Sequence, residues 1–284
     1  MSILLNSRFS CNSVIWISSL PNAEMSPTNR MVETMAAHSR ELGFLFQHFS
    51  VSRIAKLWDL LDEISIHARD YSLKPIVHFD THGHKDAGIY VDGEGAYADW
   101  NTLAEKLRAI NINTKNNLAV VGATCFGLQA IKPISIQTEV PFFLLLAPED
   151  DVTVGFLEDN VPNFYRTLFE LGDIDEAQFR HLSKKFKYFH CEKMLFIVIA
   201  RYLKEQCKGK GGAERRERLI TEIFSQGMEK TPDNLKLIRK KLKEGLRPDQ
   251  GLLDRFTGIF LIGRPCSFSM EDLENFIESS SLLS

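Results

Sequence analysis

Short apolar blocks alternate with amphipathic stretches along most of this sequence, and this alternation constrains the fold more than any other feature. The stretches repeat apolar residues at helical spacing, as Ile54, Leu57, Leu61 and Ile64 do. A mostly parallel sheet covered by helices on both faces produces such an alternation. We therefore predict an α/β fold, a three-layer αβα sandwich with about six central strands. The predicted strands are Val14–Ile17, Phe44–Val51, Pro75–Phe79, Asn117–Thr124, Val140–Ala147 and Thr257–Gly263.

The region from about Asp173 to Gly251 differs, because it has helical patterns and no strand signal. We predict that residues 1–284 form a single domain with a helical insertion over about 173–251 and the last core strand over about 257–263. Between Arg201 and Arg247 the insertion has 14 Lys plus Arg and 7 Asp plus Glu. This excess indicates either a solvated helix face or docking of an acidic partner. Nucleic acid is not expected, since no aromatic residues interleave its densest basic cluster, 239–243.

Composition excludes several other classes of protein. The chain carries 25% charged residues and a net charge of −3, so no global excess attracts it to nucleic acid or to an anionic membrane. Its five cysteines include no C-x-x-C pair, which argues against a disulfide scaffold or a structural zinc site and favours a reducing cytoplasm. The longest apolar run, Val140 to Pro148, is far shorter than the ~20 residues of a spanning helix, and the first residues make a poor signal peptide. No membrane association is expected.

Two reactive side chains follow predicted strands: His82 comes after Pro75–Phe79, and Cys125 comes directly after Asn117–Thr124. Ligands bind at the carboxyl edge of open α/β sheets, and neighbouring strands lie ~4.8 Å apart. A thiol nucleophile needs a base or proton donor at this range. Gly83 leaves its N–H open, and with the N–H of Cys125 it would form an oxyanion hole.

These segments resemble the caspase-like cysteine peptidases of clan CD. The resemblance consists of His-Gly after one apolar strand and Ala123-Thr-Cys-Phe-Gly127 after the next, with the His 43 residues before the Cys. Downstream, a buried strand ending in Asp-Asp, a helix with Phe-Tyr-Arg-Thr-Leu and a Gly-Ile-Phe-Leu-Ile-Gly segment resemble the CHAT branch, as found in bacteria. Ala123 stands where caspases have Gln, so their use of that position in substrate recognition is not carried over.

The resemblance implies a thiol endopeptidase with Cys125 as nucleophile and His82 as acid and base, acting without a cofactor on a protein substrate. CHAT proteases are associated with bacterial antiviral defence and cell-death systems, where substrates include pore-forming proteins of the gasdermin type. The acidic residues Glu149, Asp150 and Asp151 are either a polar loop or helix cap, or they line the pocket for the residue before the cleaved bond. A carboxylate there would favour Arg or Lys.

Three alternatives remain open at the sequence level. His84 is the rival base, whereas His78, inside a strand, is expected to be structural. The series His82, His84 and Asp86 spells H-x-H-x-D, which resembles the metal motif of metallo-β-lactamase-fold hydrolases and would suit a zinc pair. The third alternative is a catalytically inactive caspase-like fold that serves as a binding module.

Overall fold

The computed structural model describes residues 5–207, 209–246 and 248–281. Nine strands lie within these ranges: β1 (Ser13–Ser19), β2 (Leu45–Ser50), β3 (Pro75–Thr81), β4 (Gly83–His84), β5 (Gly88–Val91), β6 (Ala96–Ala98), β7 (Ala119–Ala123), β8 (Leu144–Pro148) and β9 (Phe186–His190). The α-helices described there are α1 (Met25–Leu42), α2 (Ile54–Asp70), α3 (Trp100–Asn113), α4 (Val154–Leu171), α5 (Ile174–Ala177), α6 (Cys191–Tyr202), α7 (Gly209–Ser225), α8 (Pro232–Gly245), α9 (Gln250–Phe260) and α10 (Met270–Ser281).

Six strands form the central sheet in the order β2-β1-β3-β7-β8-β9. The first five run parallel, and β9 runs antiparallel to β8. Strands β1, β3, β7 and β8 are buried along their whole length, as expected when helices cover both faces of a parallel sheet. The predicted fold class, an α/β sandwich around a mostly parallel six-stranded sheet, is confirmed.

Helices α1 and α4 cover the sheet face that carries His78 and Asp80. The Thr28 hydroxyl of α1 donates to Asp80, and Tyr165 of α4 bonds His78. His78 is fully buried, and its ring stacks on Trp16 with 3.6 Å between the ring centroids. These contacts place His78 in the core, in accord with its predicted structural role. Helices α2 and α3 pack against each other.

A small second sheet follows β3. Strands β4, β5 and β6 pair antiparallel, and a 3-10 turn over Asp92–Glu94 joins the last two. This agrees with the Asp-Gly turn signal in the sequence. The Glu94 carboxylate accepts the Ile54 N–H at 2.6 Å, so this sheet also caps the start of α2.

The last core strand predicted at 257–263 is wrong. Helix α9 continues to Phe260, and a turn follows. Leu253, Thr257 and Phe260 are all buried and lie one helical turn apart, which is the spacing of a helix. The sixth strand is β9, inside the region that the sequence predicted to be wholly helical. Short apolar runs do not distinguish a buried helix from a strand by periodicity alone.

The described chain divides into two compact units. One comprises residues 6–191 and 259–264 and contains the sheet. The other comprises the described residues among 192–258 and 265–281, with Leu5, and is helical. In the helical unit the Phe196 ring packs edge-on against Phe268 and Phe276, at centroid distances of 5.0 and 5.1 Å. Among the residues described, no helix is long and apolar enough to cross a bilayer.

Candidate active site

Strands β3 and β7 bring His82 and Cys125 to one place. The two strands are parallel neighbours, and their last paired residues are Asp80 and Ala123. His82 and Cys125 each lie two residues beyond that pair, so both side chains leave the carboxyl edge of the sheet at the same level. The strand adjacency on which the predicted dyad depends is therefore present.

Gly83 lies directly against the backbone of the cysteine loop. A Cβ atom built on Gly83 would lie 2.1 Å from the Cys125 carbonyl oxygen and 2.4 Å from the Thr124 hydroxyl. Only a residue without a side chain fits this gap, so the close approach of the cysteine loop requires glycine at position 83. The Tyr90 N–H donates to the His82 carbonyl at 2.8 Å and fixes the loop from the other side. The oxyanion role of the Gly83 and Cys125 N–H groups stays a prediction.

The turn after Cys125 holds a backbone conformation that is unusual for a large residue. Phe126 has a φ of 58°, in the left-handed region, and its N–H donates to the Asp150 carbonyl at 3.2 Å. Such conformations cost about 1–3 kcal/mol and cluster at functional sites. Strand β7 ends at Ala123, and the thiol of Cys125 lies at the sharp turn that follows.

His82 and Cys125 line the same cavity, which has a volume of about 240 Å³. Helix α1 and the turn before it contribute one side, and the segment that leads into α4 contributes another. Two carboxylates, Glu24 and Asp80, also line it, together with apolar side chains such as Leu20 and Leu157. The cavity lies on the α1 and α4 face of the sheet.

The imidazole of His82 is held by Glu24. Its Nε2 lies 2.8 Å from the Glu24 Oε2, and both side chains are about half exposed. In the neutral ring, donation from Nε2 to the carboxylate leaves Nδ1 as the proton acceptor. Glu24 belongs to a 3-10 turn over Asn22–Glu24, directly after β1. Nothing in the sequence marked this residue as part of the site.

The thiol of Cys125 is partly exposed and protonated at rest. Burial raises its pKa, the Val152 backbone opposes this effect, and the nearby Asp151 side chain raises the pKa further. The Val152 N–H approaches the sulfur at 3.5 Å. A thiol in this state needs a base to become nucleophilic.

Asp80 is the second residue that sequence reasoning missed. It is 4% exposed, and the Thr28 hydroxyl donates to its Oδ2 at 2.7 Å. Burial raises its pKa to about 6, although Thr28, Trp16 and the nearby His82 act in the opposite direction. A charged residue inside an otherwise apolar strand was the available signal, because Asp is almost never fully buried without a partner.

The predicted acidic lining at 149–151 is not observed. None of the three residues lines the cavity. Glu149 lies 3.9 Å from Lys187, and Asp150 uses its carbonyl to accept the Phe126 N–H. Asp151 lies beside the thiol and raises the Cys125 pKa. Glu149 and Asp150 are exposed, as expected for carboxylates whose burial without a partner costs free energy, whereas Asp151 interacts with the thiol from outside the cavity lining.

The structure does not bring His82, His84 and Asp86 together as metal ligands. The Nδ1 of His84 accepts the N–H groups of Asp86 and Ala87, each at 3.2 Å, and the Asp86 carboxylate pairs with Lys132 at 3.3 Å. Within the described part of the chain, no three His, Cys, Asp or Glu side chains are grouped to hold a metal ion.

A scan against protein-family models finds no match for this sequence, and a search of curated proteins finds none. A functional assignment therefore depends on the cavity and on the residues that line it.

Proposed function

We propose that this protein is a cysteine endopeptidase of the caspase-like, CHAT type, with Cys125 as nucleophile and His82 as acid and base. One observation carries the proposal: the thiol and the imidazole line a single cavity at the ends of two adjacent parallel strands. The contact between Gly83 and the cysteine loop keeps the two segments in register. The motif resemblance supports peptide bonds as the substrate class.

Because burial and the Asp151 side chain raise the pKa of Cys125, the thiol proton must pass to a base for the sulfur to attack. His82 accepts the thiol proton as the sulfur bonds to the peptide carbonyl carbon. The C–N bond then breaks, and His82 gives that proton to the leaving amine. Water, deprotonated by His82, attacks the thioester, and the returning proton restores the thiol. Glu24 holds the ring through Nε2 during both transfers.

The substrate follows from the same resemblance. We propose a protein substrate, with pore-forming proteins of the gasdermin type as the first class to test, in a bacterial defence or cell-death setting. An acidic partner would dock on the basic helices α7 and α8. There Arg239 pairs with Glu217 at 3.1 Å, and Lys240 and Lys241 are exposed.

Hydrolysis of a fluorogenic peptide library by the full chain tests the proposal. We expect activity in the wild type and its loss in Cys125→Ala, by at least about 10²-fold. Cys207→Ala is the matched control, because that cysteine is also partly exposed and does not line the cavity. Iodoacetamide should inactivate the wild type and the control alike, faster as the pH rises through the neutral range, because the Cys125 pKa is raised.

Equal hydrolysis by the wild type and Cys125→Ala would overturn the dyad. Inactivation by chelators, with zinc bound stoichiometrically, would favour the metal hydrolase instead. The competing binding module has one observation in its favour, since the carboxylate of Asp151 beside the thiol disfavours thiolate. A folded wild type that hydrolyses no peptide or protein would favour that module.

A further inference from the structure

We infer that the cavity beside Cys125 receives the side chain that precedes the cleaved bond, and that Asp80 makes it select a basic residue, Arg or Lys. The inference rests on the proposed function, because the cavity acquires this meaning only if Cys125 attacks a peptide carbonyl. The carboxylate that selects a basic residue is then Asp80, a strand residue that the sequence did not indicate, and not an acid of the loop 149–151.

The size of the cavity suits one amino-acid side chain. Its volume is about 240 Å³. Sites for drug-sized ligands are larger, typically about 300–1,000 Å³. Because Cys125 itself lines the cavity, a carbonyl bound at the sulfur would carry its own side chain into this space.

The lining suits a long side chain that ends in a cation. Leu20, Val152 and Leu157 provide apolar surface for an aliphatic stem. The described residues that line the cavity include the carboxylates Glu24 and Asp80 and no Lys or Arg. Glu24 is half exposed and already bonds His82, whereas Asp80 is 4% exposed and belongs to the buried wall. Asp80 is therefore the acid placed to meet the end of an inserted side chain.

Asp80 is a buried carboxylate that no Lys or Arg among the described residues neutralises. The Thr28 hydroxyl donates to it, and Trp16 and His82 also favour its charged form, yet burial outweighs all three. Burying a carboxylate without a cation destabilises the folded state, and its raised pKa, about 6, agrees with that cost. Residues that break a local rule in this way are expected at functional sites. An Arg or Lys side chain from the substrate would supply the missing cation.

Peptides that differ only in the residue before the cleaved bond test this inference. We expect kcat/KM to be highest with Arg or Lys and lower with citrulline, the neutral isostere of Arg, by about 10-fold to 100-fold. In Asp80→Asn the ratio of Arg to citrulline should fall to near one, while hydrolysis of the citrulline peptide persists. Asp150→Asn is the matched control, because Asp150 does not line the cavity, and it should keep the wild-type ratio.

A binding measurement separates this inference from the proposed function. In calorimetric titrations, Cys125→Ala protein should bind the Arg peptide more tightly than the citrulline peptide, and adding Asp80→Asn should remove the difference. Selective binding of the Arg peptide, together with no hydrolysis by the wild type, would overturn the proposed peptidase activity and still support the cavity as a site for a basic side chain. A preference for Leu, Met or Asp, or a basic preference that survives Asp80→Asn, would overturn the role of Asp80. Equal binding of both peptides would do the same if Asp80→Asn failed to fold.

Discussion

Two segments leave the carboxyl edge of the sheet, and both carry acidic or titratable side chains, yet they behave differently. The β3 segment directs Asp80 and His82 into the cavity, while the 149–151 segment after β8 contributes none of its acids to it. Asp80 belongs to β3, whose alternation fixes the face on which its side chain lies, and His82 directly follows the strand, where the Tyr90 N–H holds its carbonyl. Loop acids have no such constraint. A carboxylate inside a strand is thus a stronger indication of a site than a cluster of acids in the following loop.

The largest expected effect comes from the base. His82→Ala should lower kcat for peptide hydrolysis by about 10² to 10⁴-fold, the usual contribution of a general acid–base group. His84→Ala is the matched control, because His84 bonds backbone N–H groups of its own turn and does not line the cavity. If His84→Ala lost activity and His82→Ala retained it, the acid and base would be His84 rather than His82.

The next effect tests the close approach of the two loops. Gly83→Ala places a methyl group 2.1 Å from the Cys125 carbonyl oxygen, so one loop must move. A displacement near 1 Å can cost about 10²-fold in rate, and overpacking typically destabilises by about 1–3 kcal/mol.

Gly155→Ala in α4 is the control, because no atom lies within 4 Å of its built Cβ. Its kcat should stay unchanged, while thermal unfolding should show equal or higher stability. Wild-type kcat in Gly83→Ala would mean that the spacing of the loops does not limit catalysis.

A third effect is the pH dependence that a buried carboxylate produces. The folded-state pKa of Asp80 is about 6, above its ordinary 3.8, so the folded protein binds more protons than the unfolded chain between these values. The contribution of Asp80 to the free energy of unfolding therefore falls as the pH rises from about 4 to 6, by at most about 3 kcal/mol.

Denaturant unfolding across this pH range should show the decline in the wild type and a flatter profile in Asp80→Asn. The exposed Asp150 supplies the comparison, and Asp150→Asn should retain the wild-type slope. If the decline of the unfolding free energy with pH is unchanged in Asp80→Asn, a group other than Asp80 causes it.

The smallest effect concerns the residue that positions His82. Half-exposed contacts of this kind contribute at most about 1 kcal/mol, so Glu24→Gln, which weakens the acceptor of the His82 Nε2, should lower kcat up to about fivefold and leave KM nearly unchanged. Glu149→Gln, in the loop whose acids do not line the cavity, should change neither constant. A rise in KM with unchanged kcat in Glu24→Gln would indicate substrate binding rather than positioning.

Some of this molecule was predictable because the information is local. The apolar blocks of β1, β2, β3, β7 and β8 predicted a parallel sheet, and His82 and Cys125 followed from their positions after two of them. The same criterion wrongly predicted a strand at Thr257–Gly263, because a short apolar run fits a buried helix as well as a strand. Strand β9 was missed because it lies among helices.

The sequence by itself predicted the α/β architecture, a thiol and an imidazole that each follow an apolar strand, and the glycine directly after that imidazole. Tertiary structure alone decided which acids line the cavity, because Glu24 reaches His82 only where the turn before α1 lies at the sheet edge, and Asp80 lies beside the Cys125 loop only because β3 pairs with β7. Periodicity records which face of an element is apolar. Periodicity does not predict where a cavity forms, because the side chains that line a cavity come from elements far apart in the chain.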